Sequence, residues 1–507
     1  MTGILIAGTS SDAGKSLVVT GLCRAARRRG LDVAPYKAQN MSNNSMVCAD
    51  GTEIGRAQYL QALAAQVEAH SGMNPVLLKP GTDRRSFVVL RGQPAGRLEA
   101  GEYATGRKHL AEAAFAAYEE LAAAHDLIIC EGAGSPAEIN LRAGDYVNLG
   151  LARRFDLPMV LVGDIDRGGQ LAALYGHWAI LDDADRACLA GYIINKFRGD
   201  ARVLQPGLDE ITRRTGMPGL GVLPWVDGVW LDGEDALDLG AWRAHGGPEG
   251  DDDERLRVAV VAFPRTSNAT DVDALAHEFG VEVVITRDLG RLRDADLVVL
   301  PGSRSTLSDL EWLRRQGIAD VIVDRWHRGR PVLGICGGYQ MLARTVDDRD
   351  GVESRGASRG AGRSAQGLGL LPVTVRFHAE KTLARPRGSW AGHPVEGYEI
   401  HHGLCEVDSD GVGAGGWGGA GGWDGEVEPF LDGCRRGAAW GTLWHGALEN
   451  DDFRRAWLTG IAETTGNLWR PHQGHPGFGE RREQMIEALA DAVETHLDLD
   501  RLFDMAR

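Results

Sequence analysis

The chain has 507 residues, of which 43% are apolar and 25% charged, and its formal net charge is −16. That length exceeds one ordinary domain and points to two or more units, each with its own core. The acidic balance argues against bulk attraction to nucleic acid or an anionic membrane, and no stretch of about 20 apolar residues marks a membrane span.

The first apolar run, GILIAG (3–8), reads as a buried strand. It leads into GTSSDAGKS (8–16) and then a helical pattern, so the N-terminus is a strand entering a loop rather than a leader peptide. A cytoplasmic location is the default expectation. Strand, glycine, Lys-Ser and helix in that order form the context of a phosphate-binding loop. Backbone N–H groups at the helix start face phosphates. Asp12, Gly14, Lys15 and Ser16 are the expected nucleotide contacts, with Lys15 on the terminal phosphates and Ser16 on Mg²⁺. Counted from Gly8, the loop is one residue longer than GxxxxGK[ST].

DVAPYKA (32–38) is the next expected strand, followed by the amide-rich run KAQNMSNNSMV (37–47). The run has neither helical nor strand periodicity and reads as a polar loop. Glu53, in GTEIGRAQ, is expected to start a helix, where an acid counters the dipole. DLIICEG (126–132), PMVLVGD (158–164) and AGYIINK (190–196) are further buried strands. Glu131 ends one of them, where open α/β sheets place ligands and a metal carboxylate fits. Asn195 ends another.

Alternation of such strands with helical patterns argues for a parallel sheet covered on both faces, here an ATP-binding domain over 1–225. A Gly- and Asp-rich linker spans 226–255. A second α/β series follows over 256–455, with strands at RVAVVAF (257–263), VEVVITR (281–287), ADLVVLPG (295–302) and RPVLGIC (330–336). Residues 456–507 form a C-terminal helical extension. The glycine-rich stretch 411–426 is expected to be a surface insertion.

The seven cysteines contain no CxxC pair, so neither a zinc site nor a disulfide framework is indicated. One of them stands apart. PVLGICGGYQML (331–342) runs from apolar strand through Cys336 and two glycines into a helical pattern, which is the form of a nucleophile elbow. His445 in GTLWHGALEN is the expected base, with His401 and His402 of GYEIHHG as competitors. An oxyanion hole needs two N–H donors; Gly337 offers one, and Gly302 or Ser303 of LPGSRST the other.

The first half resembles dethiobiotin synthetase, whose phosphate loop has the same added residue. The resemblance implies ATP and Mg²⁺, with Glu53 as a second metal ligand beside Ser16 and Glu131, and Asn195 near the adenine. The second half resembles the class I (triad-type, flavodoxin-like) glutamine amidotransferases. In those, the cysteine takes the glutamine amide as a thioester and releases ammonia. They carry a Glu two residues after the histidine, where this chain has Ala447 and, two further on, Glu449. The resemblance therefore leaves open which acid, if any, orients His445.

The combination resembles the corrinoid-amidating ligases, and K-x-QNMSNNS, GYEIHHG, LPGSRST and Glu380-Lys381-Thr382 place it in their cobyric-type branch. This implies amidation of the b, d, e and g carboxylates of a corrinoid a,c-diamide, with ATP and glutamine. The corrinoid is then substrate, and no tightly bound organic cofactor is expected. Small molecules are the expected partners, without nucleic acid, and an oligomer is compatible. Lys37, Gln39, Asn40, Ser42, Asn43 and Asn44 are candidate substrate contacts, since neutral amides suit a periphery mixing carboxylates with amides. Competing expectations are an a,c-diamide synthase, a ligase acting on a cell-wall lipid precursor, and a P-loop partitioning ATPase carrying an inactive amidotransferase module.

Overall fold

Six strands make the sheet of the first unit: β1 Gly3–Gly8, β2 Val33–Tyr36, β3 Leu127–Glu131, β4 Met159–Asp164, β5 Leu189–Phe197 and β6 Gly219–Pro224. Their order is β6-β5-β4-β1-β3-β2, and every pairing is parallel. Every residue of β1, β3 and β4 is buried, as helices on both faces of a parallel sheet require. The computed structural model describes residues 3–82, 85–99, 107–230, 254–353, 362–408 and 426–506; most of the expected linker and of the glycine-rich stretch lies outside them. The chain falls into two units, Met1–Glu234 with Arg482–Arg507, and Asp235–Arg481.

After β1 the chain goes to the far edge at β2, returns to β3, and then crosses to β4 on the other side of β1. This reversal opens a crevice at the carboxyl ends of the strands around β1, where such sheets bind ligands. The loop after β1 leads there into α1, Lys15–Arg28.

The segment between β2 and β3 departs from its reading as loop. Gln39–Met41 pairs in parallel with Val76–Thr82, and Arg85–Leu90 and Gln93–Glu99 complete a small four-stranded sheet. Ser45–Val47 and Glu53–Gly55 form a separate antiparallel pair. Glu53 is thus in a strand, and α2, Arg56–Ala65, begins three residues later.

In the second unit the strands are β7 Leu256–Val261, β8 Val281–Thr286, β9 Leu297–Leu300, β10 Val332–Ile335, β11 Val427–Phe430, β12 Gly433–Arg436 and β13 Ala439–Thr442. They are ordered β8-β7-β9-β10-β13-β12-β11. The first five run parallel, and β12 and β11 close the edge antiparallel. A second sheet joins Thr345–Asp348, Arg363–Gln366, Val373–Ala384 and Glu399–Val407.

The stretch expected as one C-terminal extension is divided. Helix Asp451–Thr465 belongs to the second unit, whereas Arg482–Arg507 belongs to the first. Charge spacing explains the return. Glu483, Glu487, Asp491 and Glu494 recur every three or four residues on helix Phe478–His496, which lines them up on one face. They pair with Arg24 and Arg28 of α1; Arg28 Nη1 bonds Asp491 at 2.7 Å and Glu494 at 2.9 Å, and Arg24 pairs with Glu483 and Glu487.

Candidate active sites

Gly14 caps α1 in the left-handed region (φ 89°), and Asp12 also has a positive φ of 58°. These two turns aim the loop's backbone at the helix start, in the manner of phosphate sites. Lys15 Nζ bonds back to the Ser10 carbonyl at 3.2 Å, so its ammonium lies over the loop. Asn195 braces the loop from β5 by donating to the Ala13 carbonyl at 3.0 Å. Lys196 beside it donates to the Asp12 carbonyl at 2.7 Å and pairs with Asp164 at 2.8 Å.

Glu131 ends β3 with no exposed surface. One carboxylate oxygen accepts from the Ser16 hydroxyl and from Lys37 Nζ, each at 2.8 Å; the other accepts from Gln61 Nε2 at 2.5 Å. Burial alone would raise this carboxyl, but the Lys37 charge and hydrogen bond, the Gln61 bond and the nearby Lys15 together hold it below the ordinary carboxylate range. Glu53 is equally buried; it accepts from Ser45 Oγ at 2.7 Å and pairs with Lys79.

The amide-rich segment is largely interior. Lys37, Gln39, Asn40, Ser42, Asn44 and Ser45 are buried, and Asn43 is half-buried. Asn40 donates to Gln58 at 3.1 Å, and Gln39 accepts from Tyr146 at 2.6 Å and from Arg107. Ser42 Oγ accepts from the Asn44 backbone at 3.0 Å. Buried amides and hydroxyls must find partners, and Gln58 of α2 supplies one of them. Periodicity could not reveal this burial, because a polar layer bonded to itself has no apolar stripe.

In the second unit Cys336 sits between β10 and α3, Gly337–Leu342, at φ 50° and ψ −108°. This is a strained conformation of the kind found at nucleophile turns. His445 follows β13, and the Cys336 thiol is among the groups that act on its imidazole. Its other ring nitrogen, Nδ1, lies 2.7 Å from Asp271 Oδ2, and its ring stacks on Tyr398 with centroids 5.3 Å apart. His445 is 1% exposed. Burial would lower the imidazole, yet the charges and hydrogen bonds of Asp271 and Cys336 lift it to about 10.

Gly302 and Gly337 crowd the same centre. A Cβ on Gly302 would lie 3.1 Å from His445 Cε1, and one on Gly337 would lie 2.7 Å from the Ser303 backbone nitrogen. The competitors of His445 lie in strand Glu399–Val407, in other surroundings. His402 Nδ1 is 3.1 Å from the His378 carbonyl, and burial beside Lys381 and Arg304 lowers its pKa to about 4. His401 lies buried in strand Glu399–Val407, 4.0 Å from Glu399.

Asp271 is the residue that motif reading missed. It lies in TSNATDVD, which resembles an ordinary turn. Two signals could have found it: the lost acid at position 447, and a carboxylate soon after the carboxyl end of β7.

Residues 4–237 match the CobQ/CobB/MinD/ParA nucleotide binding domain family, and residues 257–453 match the CobB/CobQ-like glutamine amidotransferase domain family. The cobyric acid synthase of Cutibacterium acnes is 65% identical over 507 residues, covering all of both chains. The chain belongs to the cobyric acid synthase family. That of Mycolicibacterium gilvum is 51% identical, over 100% of this chain and 97% of its own. Among solved structures, a glutamine amidotransferase aligns at 19% identity over 41% of this chain and 98% of its own, with a TM-score of 0.30.

As a member of the cobyric acid synthase family the protein is a glutamine-dependent amidating ligase of corrinoids with a P-loop nucleotide-binding domain. No helix of the described residues is long and apolar enough to cross a membrane. Among the same residues no cluster of three or more His, Cys, Asp or Glu could hold a metal by itself. A hydroxyl and one carboxylate, Ser16 and Glu131, fit Mg²⁺, a hard cation usually held by one or two carboxylates together with substrate phosphates.

Proposed function

We propose that the protein amidates the b, d, e and g carboxylates of adenosylcobyrinic acid a,c-diamide to give adenosylcobyric acid, using one ATP and one glutamine per amide. The observation that carries this reading is full-length likeness, at 65% identity, to a cobyric acid synthase.

In the first unit a corrinoid carboxylate oxygen attacks the γ-phosphorus of ATP, ADP leaves, and an acyl phosphate forms. Lys15 and the N–H groups ahead of α1 take up charge that develops on the phosphates. Ser16 and Glu131 would hold Mg²⁺, which neutralises phosphate charge when bound. Lys37 and Gln61 keep Glu131 ionised and oriented toward that role. Glu53 could join the metal only by exchanging Lys79. Asn195 sets the loop that the nucleotide lies on. Lys37, Gln39, Asn40, Ser42, Asn43 and Asn44 form the wall that the corrinoid periphery meets, the buried ones by holding that wall in shape from within.

In the second unit the Cys336 sulfur, its proton passing to His445 Nε2, attacks the side-chain amide carbon of glutamine, with N–H groups of Gly302 and Gly337 donating to the oxyanion. His445 gives its Nε2 proton to the departing nitrogen, and ammonia leaves. Water, deprotonated by His445, then releases glutamate from the thioester. Ammonia attacks the acyl carbon, phosphate departs, and the amide remains.

Mass spectrometry of a corrinoid a,c-diamide incubated with the protein, ATP and glutamine tests the reading. A gain of four amides is expected. No gain would reject it, and amidation only of an unamidated corrinoid would favour an a,c-diamide synthase.

A further inference from the structure

His445 has no acid two residues downstream, since Ala447 occupies that place. The structure brings one from 174 positions away. Asp271 uses both carboxylate oxygens on the histidine's segment: Oδ2 meets His445 Nδ1 at 2.7 Å, and Oδ1 accepts the Gly446 backbone N–H at 2.9 Å. One bond orients the ring and the other fixes the backbone that carries it. Both residues are almost wholly buried, at 2% for Asp271 and 1% for His445. With Nδ1–H bonded to the carboxylate, Nε2 is the nitrogen left for the thiol.

The residues just before Asp271 serve the other half of the centre. Thr266 and Ser267 pair antiparallel with Ser303 and Gly302, the strand that offers an oxyanion donor. The Arg304 N–H is tied to the Arg265 carbonyl at 2.9 Å. Between the two contacts Asn268 is buried in the left-handed region (φ 51°), and its carbonyl accepts from the Asp271 backbone at 3.1 Å. The turn at Asn268 thus swings the chain from the oxyanion strand to the histidine within four residues.

We propose that Asp271 is the positioning acid of the amidotransferase centre, replacing the missing downstream glutamate, and that Thr266–Asp271 sets the base and the oxyanion donor as one piece. Asp271 accepts from the His445 Nδ1–H throughout. It keeps the Nδ1 proton in place while Nε2 gives its proton to the leaving nitrogen and later takes one from water. The inference rests on the glutaminase reading above.

Among the described residues, Asp271 from the turn after β7, Cys336 from the elbow and Tyr398 stacked on the ring face the imidazole. Removing the Asp271 charge therefore lowers the pH at which His445 loses its proton. The test measures glutamine-dependent and ammonia-dependent synthesis across pH for Asp271→Asn and Asp271→Ala, with Asp271→Glu as the conservative variant. In Asp271→Asn and Asp271→Ala, glutamine-dependent kcat is expected to fall about 10²- to 10⁴-fold while ammonia-dependent synthesis is kept. The alkaline limb of glutaminase activity should move to lower pH in Asp271→Asn, and Asp271→Glu should restore part of the rate. Glutaminase within about threefold of the parent with an unmoved alkaline limb would overturn the proposal. Loss of both syntheses together would also overturn it, by making Asp271 a folding residue. Cys336→Ala reports on the underlying reading separately: full glutamine-dependent synthesis in that variant removes the thiol scheme whatever Asp271 does.

Discussion

Both units place a buried ionisable group at the carboxyl edge of a parallel sheet, and they charge it in opposite ways. Glu131, at the end of β3, is surrounded by donors: Lys37, Gln61, the Ser16 hydroxyl and, nearby, Lys15. His445, after β13, is faced by a carboxylate and a thiol. Neighbours therefore drive the first group's pKa down and the second group's up, each against the pull of burial. The same sheet edge carries cationic and neutral donors around a carboxylate in one unit and a proton-holding imidazole near a thiol in the other. What separates the two chemistries is the sign of the neighbours, not the fold.

The contrast is most sharply tested by disabling each centre. Cys336→Ala is expected to abolish glutamine-dependent synthesis, to below about 10⁻³ of the parent rate, while ammonia-dependent synthesis continues. Lys15→Ala should stop synthesis with either nitrogen source, about 10²- to 10³-fold or more, because both need the activated carboxylate. Steady-state assays with glutamine and with ammonium salts decide. A Lys15 variant with full ammonia-dependent turnover would take the phosphate loop out of the reaction.

Stability against pH should show the same opposition. The His445 pKa is raised from 6.5 to about 10 in the folded chain, so its contribution is complete below about 6.5 and is lost as pH rises through about 10. The Glu131 pKa is lowered from 4.5, so its contribution is present above about 4.5 and is lost as pH falls through the folded value. Calorimetric Tm measured from acid to alkali should therefore lose part of its acid-side slope in Glu131→Gln and part of its alkaline-side slope in Asp271→Asn. Unchanged slopes in both variants would contradict the opposed charging.

A smaller effect is expected in the amide-rich segment. Asn40→Ala removes the bond to Gln58 and should cost about 0.5–1.5 kcal/mol. Combined with Asn43→Ala and Asn44→Ala it should raise the corrinoid KM or lower kcat while glutaminase activity is kept. Unchanged synthesis kinetics would reduce the segment to scaffold.

Most parallel strands were legible because each is a short aliphatic run bounded by polar residues; the observed ends of β1, β3 and β4 lie within one residue of those read from the chain. β6 escaped because GLGVLP offers too few β-branched residues. The inserted sheet escaped because Gln39–Met41 is three residues long and mostly polar. Glu53 reads as a helix start because the strand before α2 is equally short. The C-terminal extension was read as one piece because its pairing with Arg24 and Arg28 depends on residues more than 450 positions away.

Locally encoded features needed only the sequence. The phosphate loop and the cysteine elbow are each built within about ten residues, by a strand end, small residues and a helix start, so spacing alone identifies them. Tertiary structure decided the partners. Ser16 meets Glu131 across 115 positions and His445 meets Asp271 across 174. Such contacts come from strand order in the sheet, which places distant carboxyl ends side by side and leaves no periodic trace in the chain. The sequence thus singles out Cys336 and Lys15, and the folded sheet supplies the carboxylate that meets His445 and the donors that hold Glu131 below the ordinary carboxylate range.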